Sequence, residues 1–152
     1  MKRIVAVMFG LLLVMGLNVA LAAEHGTKEE AVAMVKKAVE YLKANGNQKD
    51  FAEFNNPKGG FIDRDLYVVV YSINGKCLAH GANQRMIGRD LADNKDVDGK
   101  PYMKERLELM KAKTSAWQDY KFLNPTTKKI ESKSMYLERS GDLIVGCGIY
   151  PN

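Results

Sequence analysis

The chain has 152 residues, of which 46% are hydrophobic, 27% charged and 9% aromatic, with a formal net charge of +5. This composition is that of one ordinary globular domain, and it excludes a disordered chain, a collagen-like repeat, a polytopic membrane protein and a disulfide-dense miniprotein. Lys2 and Arg3 lie at the extreme N-terminus, so the remainder carries about +3, spread too evenly to serve a nucleic-acid partner.

Those two basic residues precede an unbroken run of apolar or glycine residues from Ile4 to Leu17, and Ala20-Leu21-Ala22 then gives a small-x-small cleavage pattern. Residues 1–22 are therefore expected to be a signal peptide cut before Ala23, leaving residues 23–152 as one exported, periplasmic domain. An uncleaved anchor is the alternative. A span needs about 20 apolar residues, and Ile4 to Ala23 reaches that length only by including Asn18.

Thr27-Lys28-Glu29-Glu30 has the form of a capping box, in which hydroxyl and carboxylate satisfy the free amides of a helix start. Val32, Val35, Val39 and Leu42 follow at spacings of three and four, and Asn45-Gly46 supplies a left-handed stop, so the pattern predicts an amphipathic helix over 28–45. Lys49 to Phe54 adds a short helical turn, and Asn55 to Gly60 is loop. Leu66 to Ser72 is dense in β-branched and aromatic residues and reads as a buried strand. Asn74-Gly75 fits a two-residue hairpin turn in which both central residues need positive φ, and Lys76 to His80 is the partner strand. Gly81 to Gly99 is a long polar loop with a helical turn near Met86, Ile87 and Leu91. Pro101 suits a helix start, and Met103, Leu107 and Met110 line one face of a helix over about 101–112. Three further strands are expected at Ala116 to Leu123, Lys129 to Glu138 and Leu143 to Tyr150, with turns at 124–127 and 139–142. Hairpin-length connections imply an antiparallel sheet with helices packed on it, an α+β domain.

No protease, hydrolase, phosphate-loop or dinucleotide fingerprint occurs, so neither an enzyme nor a cofactor is expected. Asp93 to Gly99 is acidic, but a calcium loop begun at Asp93 would place Lys104 where the bidentate glutamate belongs. Cys77 and Cys147 are an even pair in an oxidising compartment, which makes a disulfide the compositional default. A redox, metal or haem site built on Cys77 and His80 is the competing function, although a full ligand set is missing. Lys133, mid-strand between Ser132 and Ser134, is either a solvent-facing lysine or a charge partner inside a pocket.

Gly75 to Asn83, followed by Ile87-Gly88-Arg89-Asp90-Leu91, resembles the G-x-x-L-A-H-x-x-N … I/V-G-K-x-L signature of single Cache domains. Asp96 to Tyr102 resembles that family's D-x-x-G-x-x-Y/F lead into a helix. Trp117 to Phe122, Asn124-Pro125, Lys133 to Tyr136 and Gly146 to Tyr150 are similar to its W-x-x-Y … N-P … K-x-x-Y … G-x-G-x-Y tail. The match runs in order from about Phe61 to Tyr150. The resemblance implies a PAS-like five-stranded sheet of order 2-1-5-4-3, with a long N-terminal helix beside it. It implies an extracytoplasmic sensor, used in chemotaxis and signal transduction, that binds a small solute between the sheet and the loop-helix segment after strand two. With that strand order one strand separates Cys77 from Cys147. Two strand spacings total roughly 9–10 Å, beyond the reach of a disulfide, so no intrachain bond is expected.

On this basis the ligand is expected to be a short carboxylate or amino acid, anionic because donor groups dominate the candidate site: Tyr67, His80, Tyr102, Trp117, Tyr120, Lys133 and Tyr136. Strand alternation sets Lys133 against Tyr136, and Trp117 against Tyr120, so one of each pair, or a bulge, is required for all to line one pocket. The sequence shows no second apolar span and no signalling module, so a membrane receptor or kinase is the expected partner for a free-standing domain. Intact-mass measurement of the exported protein should give a chain beginning at Ala23; a membrane-retained chain of full length would instead establish an anchor.

Overall fold

The computed structural model describes residues 24–46 and 51–151; the expected signal peptide lies outside the described residues. Helix α1 runs Lys28–Asn45, and both halves of its capping box form. Thr27 Oγ1 accepts from the Glu30 amide at 3.2 Å, and Glu30 Oε2 accepts from the Thr27 amide at 2.8 Å. Ala31, Val35, Ala38, Val39 and Leu42 are its buried stripe, and Gly46 ends it at φ +84° with its amide bonded to the Leu42 carbonyl. A short helix α2 spans Phe51–Phe54.

The strand expected over 66–72 is divided. Strand β1 (Ile62–Asp63) pairs with β2 (Leu66–Tyr67) in a hairpin of its own, and β3 (Val69–Ser72) enters the main sheet. Val68 marks the break, its amide bonding the Phe61 carbonyl at 3.1 Å. Strand β4 is Cys77–His80. The connection to it is not the predicted two-residue turn. Ser72 N–H bonds Lys76 O, and Gly75 N–H bonds Ser72 O, both at 2.9 Å, leaving the three-residue loop Ile73-Asn74-Gly75. Of these only Gly75 has positive φ, at +95°, so one left-handed glycine closing a three-residue loop replaces the pair of left-handed residues.

Helix α3 is Tyr102–Ala112, and strands β5 (Ser115–Leu123), β6 (Ile130–Ser140) and β7 (Leu143–Ile149) complete the fold. The main sheet has the order β4-β3-β7-β6-β5, antiparallel throughout, which counted within the sheet is 2-1-5-4-3. This is the expected α+β, PAS-like architecture. Helix α1 covers one face, where Val68, Val70, Ala79, Val145 and Cys147 meet its buried stripe. The loop 81–101 and α3 cover the other, where Tyr67, Val69, Tyr71, Cys77, Tyr120, Met135 and Tyr150 meet Leu91, Met103 and Met110.

The β1–β2 hairpin holds the foot of α1. Asp65, fully buried, accepts from His25 Nδ1 at 2.9 Å and from the Gly26 amide at 2.7 Å. Arg64, at φ +57°, donates to the Glu30 carboxylate and to the His25 carbonyl. Gly26 has no room for a side chain, since a Cβ there would lie 2.2 Å from Leu66 Cγ.

Cys77 and Cys147 are both free and buried, on β4 and β7 with β3 between them. Burial raises their thiols to about 11 and about 12 respectively, so thiolate is scarce at neutral pH. In the folded protein neither cysteine should react with iodoacetamide at pH 8, and both should react in denaturant. A Cys77–Cys147 peptide in non-reducing mapping would contradict the strand order.

Candidate functional site

The β5–β6 register decides which predicted residues share a face. Tyr120 lies opposite Lys133, and Trp117 lies opposite Tyr136, three residues along. Alternation therefore sends Tyr120 and Lys133 toward α3 and the loop, and Trp117 and Tyr136 toward α1. Both of the latter pack against the α1-side core, with their rings 5.5 Å apart and Lys28 Nζ above the indole. Trp117 and Tyr136 are accordingly removed from the candidate site; no bulge in β5 or β6 brings them across.

A bulge does matter in β4. Tyr71 pairs with Cys77 and Val70 with Ala79, so Leu78 is an extra residue. The insertion lets Cys77 and His80, three apart in sequence, face the same side. Their proximity does not make a metal or redox centre. Cys77 Sγ bonds the Ala79 carbonyl, and among the described residues no group of three or more His, Cys, Asp or Glu could hold a metal ion.

Five of the seven predicted residues remain together: Tyr67, His80, Tyr102, Tyr120 and Lys133. Lys133 is 1% exposed. Its Nζ donates to Tyr67 Oη at 2.6 Å and to Tyr150 Oη at 3.1 Å, and sits 3.9 Å and 4.7 Å from the centroids of those two rings. Tyr150 Oη donates its own hydrogen bond to the Leu123 carbonyl at 2.8 Å. Burial, with the like charge of Arg106, pulls the ammonium from its usual 10.5 to about 7. The space that the lysine fills is opened by a glycine: a Cβ on Gly148 would lie 2.6 Å from Lys133 Cε. In the G-x-G-x-Y run Gly148 thus clears room for the lysine stem and Tyr150 meets its head.

His80 stacks on Tyr67 at 5.3 Å and is 1% exposed. Its Nδ1 accepts from the Asn83 amide at 3.1 Å, which assigns the ring proton to Nε2. Burial and the neighbouring Lys133 charge depress it to about 3. Tyr102, at the start of α3, stacks on Tyr120 with centroids 4.7 Å apart.

Arg106 is a candidate site residue that the sequence reading does not include. It lies one turn after Tyr102 on α3 and is 0% exposed. Its guanidinium is ringed by Tyr71, Tyr102 and Tyr120 at 5.2, 5.2 and 5.0 Å. Gln118 orients it, accepting from Nε at 3.0 Å while giving its own amide hydrogen to the Tyr102 carbonyl at 2.8 Å. Nη1 contacts the Met103 sulfur at 3.4 Å, the Tyr120 hydroxyl is a further hydrogen-bonding neighbour of the guanidinium, and Nη2 has no partner within hydrogen-bond distance. The signal was present in the helical spacing. Arg106 follows Met103 by three and precedes Met110 by four, which places a charge within the apolar stripe.

Two buried cations therefore face one side of the sheet, and the single buried carboxylate among the described residues, Asp65, is taken up by His25 and Gly26. Tyr67 and Phe122, both over Lys133 Nζ, also line a concavity of about 210 Å³ with His80, Asn83 and Pro125. A larger open hollow of about 520 Å³, lined by Tyr120 and Lys133 together with Lys28, Asp119 and Ser132, lies beside the cluster; within it Lys121 is paired with Asp98 and the Asp96 carboxylate accepts from three backbone amides.

The fold is shared with three solved structures. One is described as "Structural basis for carboxylic acid recognition by a Cache chemosensory domain" (22% identity over 82% of this chain and 92% of that one, TM-score 0.69). Another is a periplasmic sensor domain of a chemotaxis protein (20% identity, 82% and 90%, TM-score 0.60). The third is a methyl-accepting chemotaxis protein from Vibrio parahaemolyticus RIMD 2210633 (22% identity, 81% and 87%, TM-score 0.67). No curated protein matches. The model of the family "Single Cache domain 2" matches residues 7–152. With the helix-flanked antiparallel sheet, this match establishes that the chain belongs to the single Cache domain family of sensor domains.

Proposed function

We propose that the domain senses a small carboxylate, held by its carboxylate group between Arg106 and Lys133, with Tyr71, Tyr102, Tyr120 and Phe122 around its apolar part. The observation that carries the reading is Arg106 Nη2, a donor on a permanently charged group, fully buried and unpartnered. An uncompensated buried charge costs several kcal/mol, and an incoming carboxylate supplies the missing acceptor. Amino acids are disfavoured, because their ammonium would meet two cations and no available buried acid. The Cache chemosensory domain that shares the fold is described as recognising carboxylic acids, which favours the same ligand chemistry here. The domain works outside the cytoplasm, in the periplasm, and a membrane receptor or kinase carries its signal onward. No described helix is long and apolar enough to cross a membrane.

A thermal-shift panel of short carboxylates and amino acids should give hits only among the carboxylates. By calorimetry with the best hit, Lys133→Met should weaken binding roughly 10- to 150-fold, the range of one charge-assisted contact. Arg106→Met should weaken it at least as much without lowering the melting temperature of the ligand-free domain, since it removes an unpaired buried cation. Unchanged affinity in both variants would place the ligand elsewhere.

The pH dependence has a definite sign. Lys133 titrates at about 7 in the free domain, and a bound carboxylate favours its ammonium form, so binding takes up a proton. Affinity should fall as pH rises above about 7, by at most tenfold per unit. Stability of the free domain runs the other way. The folded lysine holds its proton more weakly than the unfolded one, so the Lys133 contribution rises with pH between about 7 and 10.5. His80, neutral and depressed to about 3, withdraws stability as pH falls from 6.5 through that value. Calorimetry in buffers of different ionisation enthalpy checks the proton uptake, and an affinity rising with pH would contradict it.

A further inference from the structure

We propose that Lys133 captures 2-oxo carboxylates covalently, as a reversible imine, with Arg106 holding the carboxylate and Tyr67 moving the proton. The inference rests on the carboxylate-sensing reading and adds to it a bond that a simple carboxylate does not make. Three features of the geometry point to it. The amine is buried among the rings of Tyr67, Phe122 and Tyr150 and makes no ion pair with an acid among the described residues, so the neutral, nucleophilic form is available. Burial brings that form within reach at neutral pH, the group titrating at about 7.

The second feature is the direction of the hydroxyl chain. Tyr150 is committed as a donor to the Leu123 carbonyl. With the amine neutral, Nζ–H still donates to Tyr150 Oη, and the Tyr67 hydroxyl, 2.6 Å away, turns its proton toward Nζ. Burial holds the Tyr67 phenol well above its usual pKa and so keeps it protonated. It is thus a neutral acid beside the nucleophile. The third feature is the unpartnered Arg106 Nη2 on the same face, which can anchor a carboxylate adjacent to the reacting carbonyl.

The step balances within these groups. The Nζ lone pair forms the C–N bond while the carbonyl π pair moves to oxygen. One proton passes from nitrogen to that oxygen, giving a carbinolamine. Its hydroxide departs as water with the proton of Tyr67, and Tyr67 recovers a proton from the iminium nitrogen. One amine and one ketone become one imine and one water, with no oxidant or reductant required. Hydrolysis by the reverse path releases the ligand.

The test uses the wild-type protein with pyruvate and sodium borohydride, which reduces an imine to a stable secondary amine, followed by peptide mass mapping. The expected result is a saturable adduct on Lys133 in preference to the exposed lysines, absent with propionate and borohydride. A parallel NMR measurement on pyruvate labelled with carbon-13 at carbon 2 should show the ketone signal replaced by an imine signal in the complex, independent of borohydride access. Lys133→Met should lose more affinity for pyruvate than for propionate. If propionate binds while pyruvate either fails to bind or binds with its ketone signal intact and Lys133 unmodified, the imine is overturned and the carboxylate reading stands. If neither ligand binds, both fall.

Discussion

The burial of two cations on one face of a small sheet is the constraint to which the rest of the site answers. Arg106 and Lys133 are each at or below 1% exposure and neither has an acid partner. Left bare, such groups would destabilise a domain of this size severely. The chain spreads the cost over softer contacts: three tyrosine rings, a glutamine oxygen and a methionine sulfur around the guanidinium, two phenols and their π faces around the ammonium. These interactions hold the charges in place without saturating them, which a carboxylate partner would have done.

Placement of these groups is a matter of register. Because side chains in a strand alternate, Lys133 and Tyr120 reach one face only if Trp117 and Tyr136 reach the other. The extra residue at Leu78 in β4 overrides the same rule, so that His80 arrives on the face covered by α3 and the loop. On β7 Val145, Cys147 and Ile149 fill the helix side, while on the opposite side, beyond Ile144, Gly146 and Gly148 leave room for Met135 and for the stem of Lys133.

Much of the architecture was legible in the sequence because local signals carried it. The capping box of Thr27 and Glu30, the apolar spacing from Val35 to Leu42, and the strand and turn signals after Ser115 each specify an element without distant help. The site was legible only in part, and the misses have physical causes. Trp117 and Tyr136 belong to the same motif as their neighbours, but a motif does not say which face a residue takes. The division of residues 66–72 at Val68 depended on pairing with Ile62 and Asp63, too short to read as a strand. Asn74 tolerates a left-handed turn, yet the bond of Ser72 to Lys76 set a longer loop. Arg106 was passed over because a charge on a helix is ordinarily solvated, although its spacing from Met103 and Met110 placed it inward.

The β1–β2 hairpin joins two parts of the molecule at close range. Tyr67, which contacts the Lys133 ammonium, and Asp65, which grips His25 and Gly26, stand two residues apart, about 7 Å along an extended chain. In mechanical terms α1 is a boom pinned at its foot by Asp65 and Arg64 and resting along the sheet. Its 18 residues span about 27 Å. An angular play of a few degrees at the pin becomes a displacement of one or two ångströms at the far end, and the pin shares its short hairpin with a side chain that touches Lys133.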